Sequence, residues 1–271
     1  MKNKVNIYRI SALLLTLILT VVRTISLKSF YDPQIGYFNS SPIVTVTDVV
    51  LILGSIWFIS SAFAISKNEI SVEKTSRSLY SKVAASFTAI IFLASAVFVF
   101  FYTENKFSVL AGIFTFLSAI YFISVAVDNK KLETTRAFLS MLPTLAFLLS
   151  AVTIYFDMKI AMNSPHKIMS GFAMLCAMLF SLCETRVFIE RQIPRVHFAM
   201  GLITFTLGFT YSASTLIYLL TEKLSDFQRR PVALGNVGFI GIVLAFSIYA
   251  LSRCFAFETT AESSDSQQQK I

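Results

Sequence analysis

Residues 82–127 read KVAASFTAIIFLASAVFVFFY, TENK and FSVLAGIFTFLSAIYFISVAV, two apolar stretches of 21 residues separated by four polar ones. A helix needs about 20 consecutive, mostly apolar residues to cross the roughly 30 Å hydrocarbon core of a bilayer. Both stretches are apolar on all sides, unlike the one-sided stripe of a surface helix or the alternating pattern of a membrane β-strand. They predict two membrane-spanning helices joined by a short turn.

The same pattern recurs along the whole chain of 271 residues. Hydrophobic residues make up 55% of it and charged residues 14%, and its mean hydropathy is +0.70, whereas soluble proteins carry about 25% charged residues. This composition excludes a cytosolic enzyme, a secreted disulfide scaffold and a disordered chain. We predict an all-α, polytopic integral membrane helical bundle of about eight transmembrane helices. The predicted spans are residues 8–26, 43–66, 82–102, 107–127, 137–157, 167–189, 197–220 and 233–256.

The first span has two interpretations. Lys2, Lys4 and Arg9 precede an apolar stretch, as in a signal peptide. No small-residue cleavage site follows, however, and the arginines at both ends, Arg9 and Arg23, can extend toward headgroups. A retained transmembrane helix is favoured.

The distribution of basic residues predicts the orientation. With both termini in the cytoplasm, 15 of the 23 Lys and Arg residues lie inside, as membrane proteins prefer. The loop carrying Arg229 and Arg230 opposes this pattern, so the last hairpin fits least well. The net charge of +8 then needs no nucleic-acid partner. Residues 1–257 form the predicted bundle in the cell membrane, and the polar residues 258–271 form a predicted disordered cytoplasmic tail.

Asp48 is the most informative polar residue, because ionisable groups inside spans are costly and often functional. If its helix begins near Pro42, Asp48 lies about 9 Å inside the membrane boundary at 1.5 Å per residue. One hypothesis is a ligand-binding or ion-binding carboxylate with Thr45 and Thr47 as neighbours. The other is a helix N-cap that accepts backbone N–H bonds.

Polar, proline and glycine residues in three other spans each allow two interpretations. The seventh is rich in hydroxyl groups, and we include Thr210 and Tyr211 among the candidate ligand-binding residues; such groups either line a hydrated path or pack helices closely. Pro143 in the fifth span, and Gly235, Gly238 and Gly241 in the eighth, either kink helices at a solute site or are simply tolerated.

Charged residues lie at the inner end of the sixth span. Glu184, Arg186, Glu190 and Arg191 are interpreted as a solvated rim, with a cytoplasmic gate or a docking point as the alternative. Arg186 and Glu190 are four residues apart and can pair on one helix face.

Residues 31–38, YDPQIGYF, combine turn chemistry at Asp32-Pro33 and Gly36 with aromatic residues that suit a membrane interface. They predict an interfacial loop or a re-entrant lid over Asp48. The segment resembles one that follows the first helix in uncharacterised multi-pass membrane proteins of Gram-positive anaerobic bacteria. The resemblance covers about ten residues and implies a bacterial membrane protein, with no activity and no site residues.

No pattern for catalysis, a cofactor or a metal site is present. The sequence contains no HExxH, Gly-x-Ser-x-Gly or phosphate-loop motif, so no enzymatic activity is predicted. Cys176 and Cys183 are too far apart on one helix for a disulfide. His166 and His197 are predicted on opposite sides of the membrane, which disfavours a metal site.

Two functions remain open. The first is a small-solute or monovalent-cation carrier in which Asp48 binds the substrate or coupling ion. It is favoured by the similarity of residues 56–62 to residues 120–126, which suggests a repeat or merely a shared composition. The second is a non-transporting sensor, regulatory or assembly protein that acts on a membrane or cytoplasmic protein partner through helix–helix contacts. Both functions place the chain in a lipid bilayer.

Overall fold

The computed structural model describes most of the chain. The described residues are 2–32, 37–39, 41–66, 70–71, 78–102, 106–127, 133–156, 164–221 and 232–259.

Nine helices and four two-residue strands make up the described structure. The helices are α1 Lys2–Phe30, α2 Pro42–Ala64, α3 Leu79–Tyr102, α4 Lys106–Val127, α5 Glu133–Leu139, α6 Met141–Phe156, α7 Pro165–Phe188, α8 Pro194–Thr221 and α9 Val232–Ala256. The strands are β1 Tyr31–Asp32, β2 Tyr37–Phe38, β3 Ile70–Ser71 and β4 Glu258–Thr259.

Within the described residues, eight helical stretches are long and apolar enough to cross a membrane. The predicted class, a multi-pass all-α bundle, is therefore confirmed, and each predicted span overlaps one of these stretches. The fifth stretch comprises α5 and α6, which are separated at Ser140. Pro143 has no N–H to bond the carbonyl of Leu139 four residues earlier, which explains the break there.

Six helices form a closed ring in which each packs on the next, in the order α8, α9, α3, α4, α6 and α7. The interior is filled by aromatic side chains from these helices. Phe147 and Phe246 have ring centroids 4.6 Å apart, and Phe92 and Phe122 are 5.0 Å apart. Helices α1 and α2 pack on the outside of the ring, mainly against α8.

Small residues allow α8 and α9 to approach their neighbours closely. A Cβ atom at Gly208 would overlap the Ser247 hydroxyl of α9, and one at Gly238 would lie 3.1 Å from the Ser95 carbonyl of α3. Thr204 of α8 donates to the Cys176 carbonyl of α7 at 2.9 Å. Gly238 and Gly241 therefore serve close packing, and the helix runs through Gly235, Gly238 and Gly241 without a break.

Both described ends of the chain lie at the same end of the bundle. The Arg9 guanidinium of α1 donates to the carbonyls of Cys254 and Phe257 at 3.0 and 2.9 Å, and β4 pairs antiparallel with β3. An even number of crossings requires this arrangement. Glu258 and Thr259, the first two residues of the predicted tail, form β4, and residues 260–271 lie outside the described residues.

Candidate functional site

An ion pair connects the two peripheral helices. Nη1 of Arg23 on α1 lies 3.1 Å from Oδ1 of Asp48 on α2. The Arg23 side chain is only 2% exposed, whereas 45% of the Asp48 side chain remains exposed. A guanidinium is therefore held inside the bundle, with its carboxylate partner at the surface.

The ion pair lies beside the β1–β2 strand pair that connects α1 to α2. Antiparallel pairing places Tyr31 opposite Phe38, with ring centroids 5.2 Å apart. The Arg23 guanidinium lies over the Phe38 ring, 5.1 Å from its centroid, in cation–π range. Tyr31 reaches the rings of His166 and Tyr218 at 5.8 and 6.1 Å. The strands thus cover this end of the bundle, although the predicted turn at residues 33–36 lies outside the described residues.

Two buried polar atoms at this ion pair, Nη2 of Arg23 and Nδ1 of His166, have no hydrogen-bond partner among the described residues, and neither does Oγ1 of Thr210, which precedes Tyr211 on α8. His166 and Tyr211 interact electrostatically with Arg23, and their own rings are 5.2 Å apart. Buried polar groups are normally bonded. This end of the bundle therefore has unused hydrogen-bonding capacity contributed by α1, α7 and α8.

A groove of about 640 Å³ begins at Asp48 and runs along the outer surface of the bundle. We call it the lateral groove. Helices α2 and α7 form its walls and α8 its floor, with these lining residues: Asp48, Leu51, Ile52, Ser55, Ile56, Ile59, Pro165, Ile168, Met169, Phe172, Cys176, Leu179, Met200, Ile203 and Leu207. The lining is apolar apart from Asp48, Ser55 and the Cys176 thiol. Ile52, Ile56 and Phe172 are more than 45% exposed, so the groove opens toward the lipid.

The structure brings together some of the predicted site residues and separates others. Asp48 and Tyr211 both lie near Arg23, and Thr210 precedes Tyr211 on α8. Thr47 is buried and donates to the Ile43 carbonyl at 2.7 Å, and Thr45 is exposed. The Thr47 hydroxyl therefore bonds the backbone of its own helix rather than the Asp48 carboxylate.

The N-cap hypothesis for Asp48 is wrong. The hydroxyl of Ser41 accepts the Ile43 N–H at 3.3 Å and caps α2, and Asp48 lies more than a turn further in. Sequence reasoning missed its partner because Arg23 was placed at the membrane boundary. Helix α1 continues to Phe30, so Arg23 is seven residues from its end and Asp48 is six residues past Pro42. Because α1 and α2 are consecutive and antiparallel, these similar distances from the joined helix ends place Arg23 and Asp48 at the same depth. The sequence could therefore have predicted their pairing.

A second charged cluster lies at the opposite end of the bundle and is fully buried. Oε1 of Glu184 on α7 lies 2.9 Å from Nε of Arg253 on α9 and 2.8 Å from Nε2 of His197 on α8. The hydroxyls of Tyr249 and Tyr121 reach Oε2 at 3.1 and 3.4 Å. One carboxylate therefore binds four helices together, since Tyr121 belongs to α4.

The predicted solvated rim is consequently wrong for Glu184, which is 2% exposed. It is correct for Arg186, Glu190 and Arg191, which are exposed. Glu184 is separated from them because it faces the ring interior, where Arg253 and His197 provide the compensating groups. His197 belongs to this cluster and His166 to the other end, as predicted.

Among the described residues, no group of three His, Cys, Asp or Glu side chains could hold a metal ion. No protein-family model matches the sequence, and no curated protein or solved structure matches it significantly. The fold and the two clusters are therefore the basis for inferring function.

Proposed function

We propose that this multi-pass membrane protein binds one lipid molecule in the lateral groove and does not transport a solute. One observation carries the proposal: an apolar groove open to the bilayer ends at a half-exposed carboxylate paired with a buried guanidinium. A lipid has the matching distribution of properties, an apolar chain joined to a polar head.

The length of the groove fits one acyl chain. Asp48 and Ile59 mark its extent on α2, and Pro165 and Leu179 mark it on α7. At 1.5 Å per residue these intervals correspond to roughly 17 and 21 Å. One leaflet contributes about half of the 30 Å hydrocarbon core. The groove, which starts at Asp48, is therefore about as long as an acyl chain that fills one leaflet.

The size and lining of the groove fit a ligand site. Its volume of about 640 Å³ falls within the range of roughly 300–1,000 Å³ that is usual for small-molecule sites. Apolar lining with a few polar groups at one end is also usual, because those groups fix the orientation of the ligand.

The packing of the ring argues against a path for a water-soluble solute. Phe122, Phe147 and Phe180 each lie within 6.0 Å of Phe246, measured between ring centroids, and fill the space between the helices. Thr204 and Thr206 of α8 bond to neighbouring helices at 2.9 and 3.1 Å. Ser212, Ser214 and Thr215 donate to carbonyls of their own helix. A hydrated pathway needs polar groups facing open space. These side chains support a packed scaffold.

Lipid binding agrees with the second of the two functions that the sequence left open, a non-transporting sensor, regulatory or assembly protein. In the first hypothesis Asp48 binds a cation, yet in the structure its carboxylate is paired with Arg23 at the mouth of a lipid-facing groove. We further propose a location in the bacterial cell membrane with both termini in the cytoplasm. That orientation rests on the basic-residue count and puts the lipid in the outer leaflet.

Photocrosslinking tests the proposal. The protein is expressed in cells that incorporate a photoreactive fatty acid into their phospholipids, irradiated, purified and mapped by mass spectrometry. We expect crosslinks concentrated on groove residues such as Phe172 and Leu207. Ser55→Trp fills the groove and should remove them. Leu53→Trp, on the same helix two residues away and outside the groove lining, should leave them unchanged.

Uniform crosslinking over all exposed apolar faces would overturn the proposal, as would equal labelling of the two Trp variants. A crosslinked protein in the groove instead of a lipid would also reject it, in favour of a membrane protein partner.

A further inference from the structure

The polar end of the lateral groove presents one charged side chain among its lining residues, Asp48. Oδ1 of Asp48 lies 3.1 Å from Nη1 of Arg23, whereas Oδ2 has no hydrogen-bond partner among the described residues. The Asp48 side chain is 45% exposed. Arg23 is buried and does not line the groove. The polar atom that a ligand in the groove meets is therefore Oδ2 of Asp48.

A carboxylate oxygen without a partner selects a ligand that donates a hydrogen bond. An ionised carboxylate can only accept, so the ligand atom that contacts Oδ2 carries an N–H or an O–H. The apolar chain of the ligand contributes little to selectivity, because the surrounding lipid is as apolar as the walls of the groove. The head therefore decides which lipid is preferred.

The charge balance at Asp48 favours a donor that is neutral. Arg23 already compensates the carboxylate, so an ammonium at Oδ2 would add a positive charge with no second anion among the lining residues. A phosphate would find no free side-chain N–H or O–H there, because the Ser55 hydroxyl donates to the Leu51 carbonyl of its own helix at 2.8 Å. Burying a charge without a partner costs far more than burying a hydroxyl that is hydrogen-bonded.

The position of Asp48 along α2 also favours a small neutral head. Asp48 lies six residues past Pro42, where the apolar stretch begins, which is about 9 Å along the helix axis at 1.5 Å per residue. The lining residues that follow it on α2, Leu51 and Ile52, are apolar. A phosphate held there would lose water without gaining a donor, whereas a hydroxyl needs only the acceptor that Oδ2 provides.

We propose that the groove ligand is a lipid with a neutral hydroxyl head, as in diacylglycerol and long-chain alcohols, and that this hydroxyl donates to Oδ2 of Asp48. The carboxylate makes the bond charge-assisted, and Arg23 orients the carboxylate through Oδ1. This inference rests on the proposed function, because it assigns the head of the same lipid.

Competition photolabelling tests the head. The full-length protein is reconstituted in phosphatidylcholine vesicles that contain a diacylglycerol with a photoreactive acyl chain, and unlabelled competitors are added. The decisive pair of competitors is dioleoylglycerol and its O-methyl ether, which has the same chains but no O–H. We expect the alcohol to displace the label about tenfold more effectively than the ether, because a hydrogen bond to a charged group contributes about one factor of ten or more.

Two further competitors identify the source of the hydroxyl and test the rival head. Hexadecanol has one chain and dioleoylglycerol has two, so the one that displaces the label at the lower concentration identifies the class of alcohol. Dioleoylphosphatidylethanolamine offers an ammonium donor and a phosphate, and it should compete about tenfold less well than dioleoylglycerol.

A variant of the acceptor locates the contact. Asp48→Asn replaces the charged acceptor with a neutral one and should reduce the preference for the alcohol over its ether about threefold or more. Glu190→Gln makes the same chemical change at an exposed position at the opposite end of the bundle and should retain the wild-type preference. The comparison of the alcohol with its ether uses the wild-type protein, so it holds even if Asp48→Asn does not fold.

The outcomes distinguish this inference from the proposed function. Equal displacement by the alcohol and its ether, with labelling that Ser55→Trp still abolishes, keeps the groove and overturns the hydroxyl head. Stronger displacement by dioleoylphosphatidylethanolamine than by dioleoylglycerol overturns the neutral head in favour of an ammonium. Labelling that Ser55→Trp leaves unchanged overturns both the head and the groove.

Discussion

Removing the charge of Glu184 should strongly destabilise the bundle. Glu184→Gln keeps the shape of the side chain but removes the carboxylate charge 2.9 Å from Nε of Arg253, which is 5% exposed. Breaking a buried ion pair by neutralising one partner costs about 3–5 kcal/mol. His197 also loses its charged acceptor at 2.8 Å, while the tyrosine hydroxyls can reorient toward the amide. We therefore expect a loss of about 3 kcal/mol or more in the free energy of unfolding.

The assay is unfolding in detergent, followed by circular dichroism against temperature or denaturing detergent. For a protein of this size, 1 kcal/mol corresponds to about 2–4 °C in Tm, so Glu184→Gln should lower Tm by at least about 6 °C. Glu190→Gln makes the same chemical change at an exposed position six residues away and should stay within about 1 kcal/mol.

A double variant tests whether Glu184 and Arg253 stabilise the fold as an ion pair. Glu184→Gln combined with Arg253→Met removes both charges and keeps most of the side-chain volume, so it should recover at least about 2 kcal/mol relative to Glu184→Gln alone. If the single variant loses less than 1 kcal/mol, or the double variant recovers nothing, the cluster does not stabilise the fold as an ion pair.

Three other perturbations follow from the packing. Gly238→Val should cost about 1–3 kcal/mol by overpacking against Ser95 and Val99, whereas Gly171→Ala, with no atom within 4 Å of its added Cβ, should change Tm by no more than about 2 °C; equal effects would contradict the close approach of α9 to α3. Arg9→Met should lower the free energy of unfolding by about 1.5–3 kcal/mol because two carbonyls of the α9 end lose a charged donor, and hydrogen exchange should rise at residues 254–257; an unchanged exchange rate there would refute the capping role. In a chain whose three native cysteines are replaced by serine, single cysteines introduced at Lys4 and at Ser66 should be labelled by a membrane-impermeant reagent from the same side, and Asn39→Cys from the other; labelling of Lys4→Cys and Asn39→Cys from one side would disprove the crossing of α1.

Much of the fold could be predicted because the bilayer imposes one requirement on every span. Twenty apolar residues in a row have few alternatives to a helix in hydrocarbon, and the two stretches at residues 82–127 are helical almost to the predicted residue. The break at Ser140 also has a local cause in the sequence, because Pro143 lacks the N–H that would bond the Leu139 carbonyl.

The partners of the buried charges could not be read locally. Glu184 is separated from Arg253 by 69 residues, and it looks like a rim residue because Arg186 and Glu190 follow it. The relevant quantity is depth: Glu184, His197 and Arg253 each lie three or four residues from the same end of their helices. Equal depth would still not have shown which helices pack side by side. The order of the helices in the ring is set by close packing at sites such as Gly208 and Ser247.

The four-helix contact of Glu184 has a consequence for biogenesis. During synthesis α7 and α8 enter the membrane before α9, which supplies Arg253 and closes the ring between α8 and α3. Until then the carboxylate lies near a helix end without its guanidinium, where an ionised group costs less than the roughly 2.5–3.5 kcal/mol of the bilayer centre. The insertion of α9 therefore completes both the charge balance of the cluster and the wall of the ring, so that the assembled ring is distinguished from a partly inserted one by its own membrane segments.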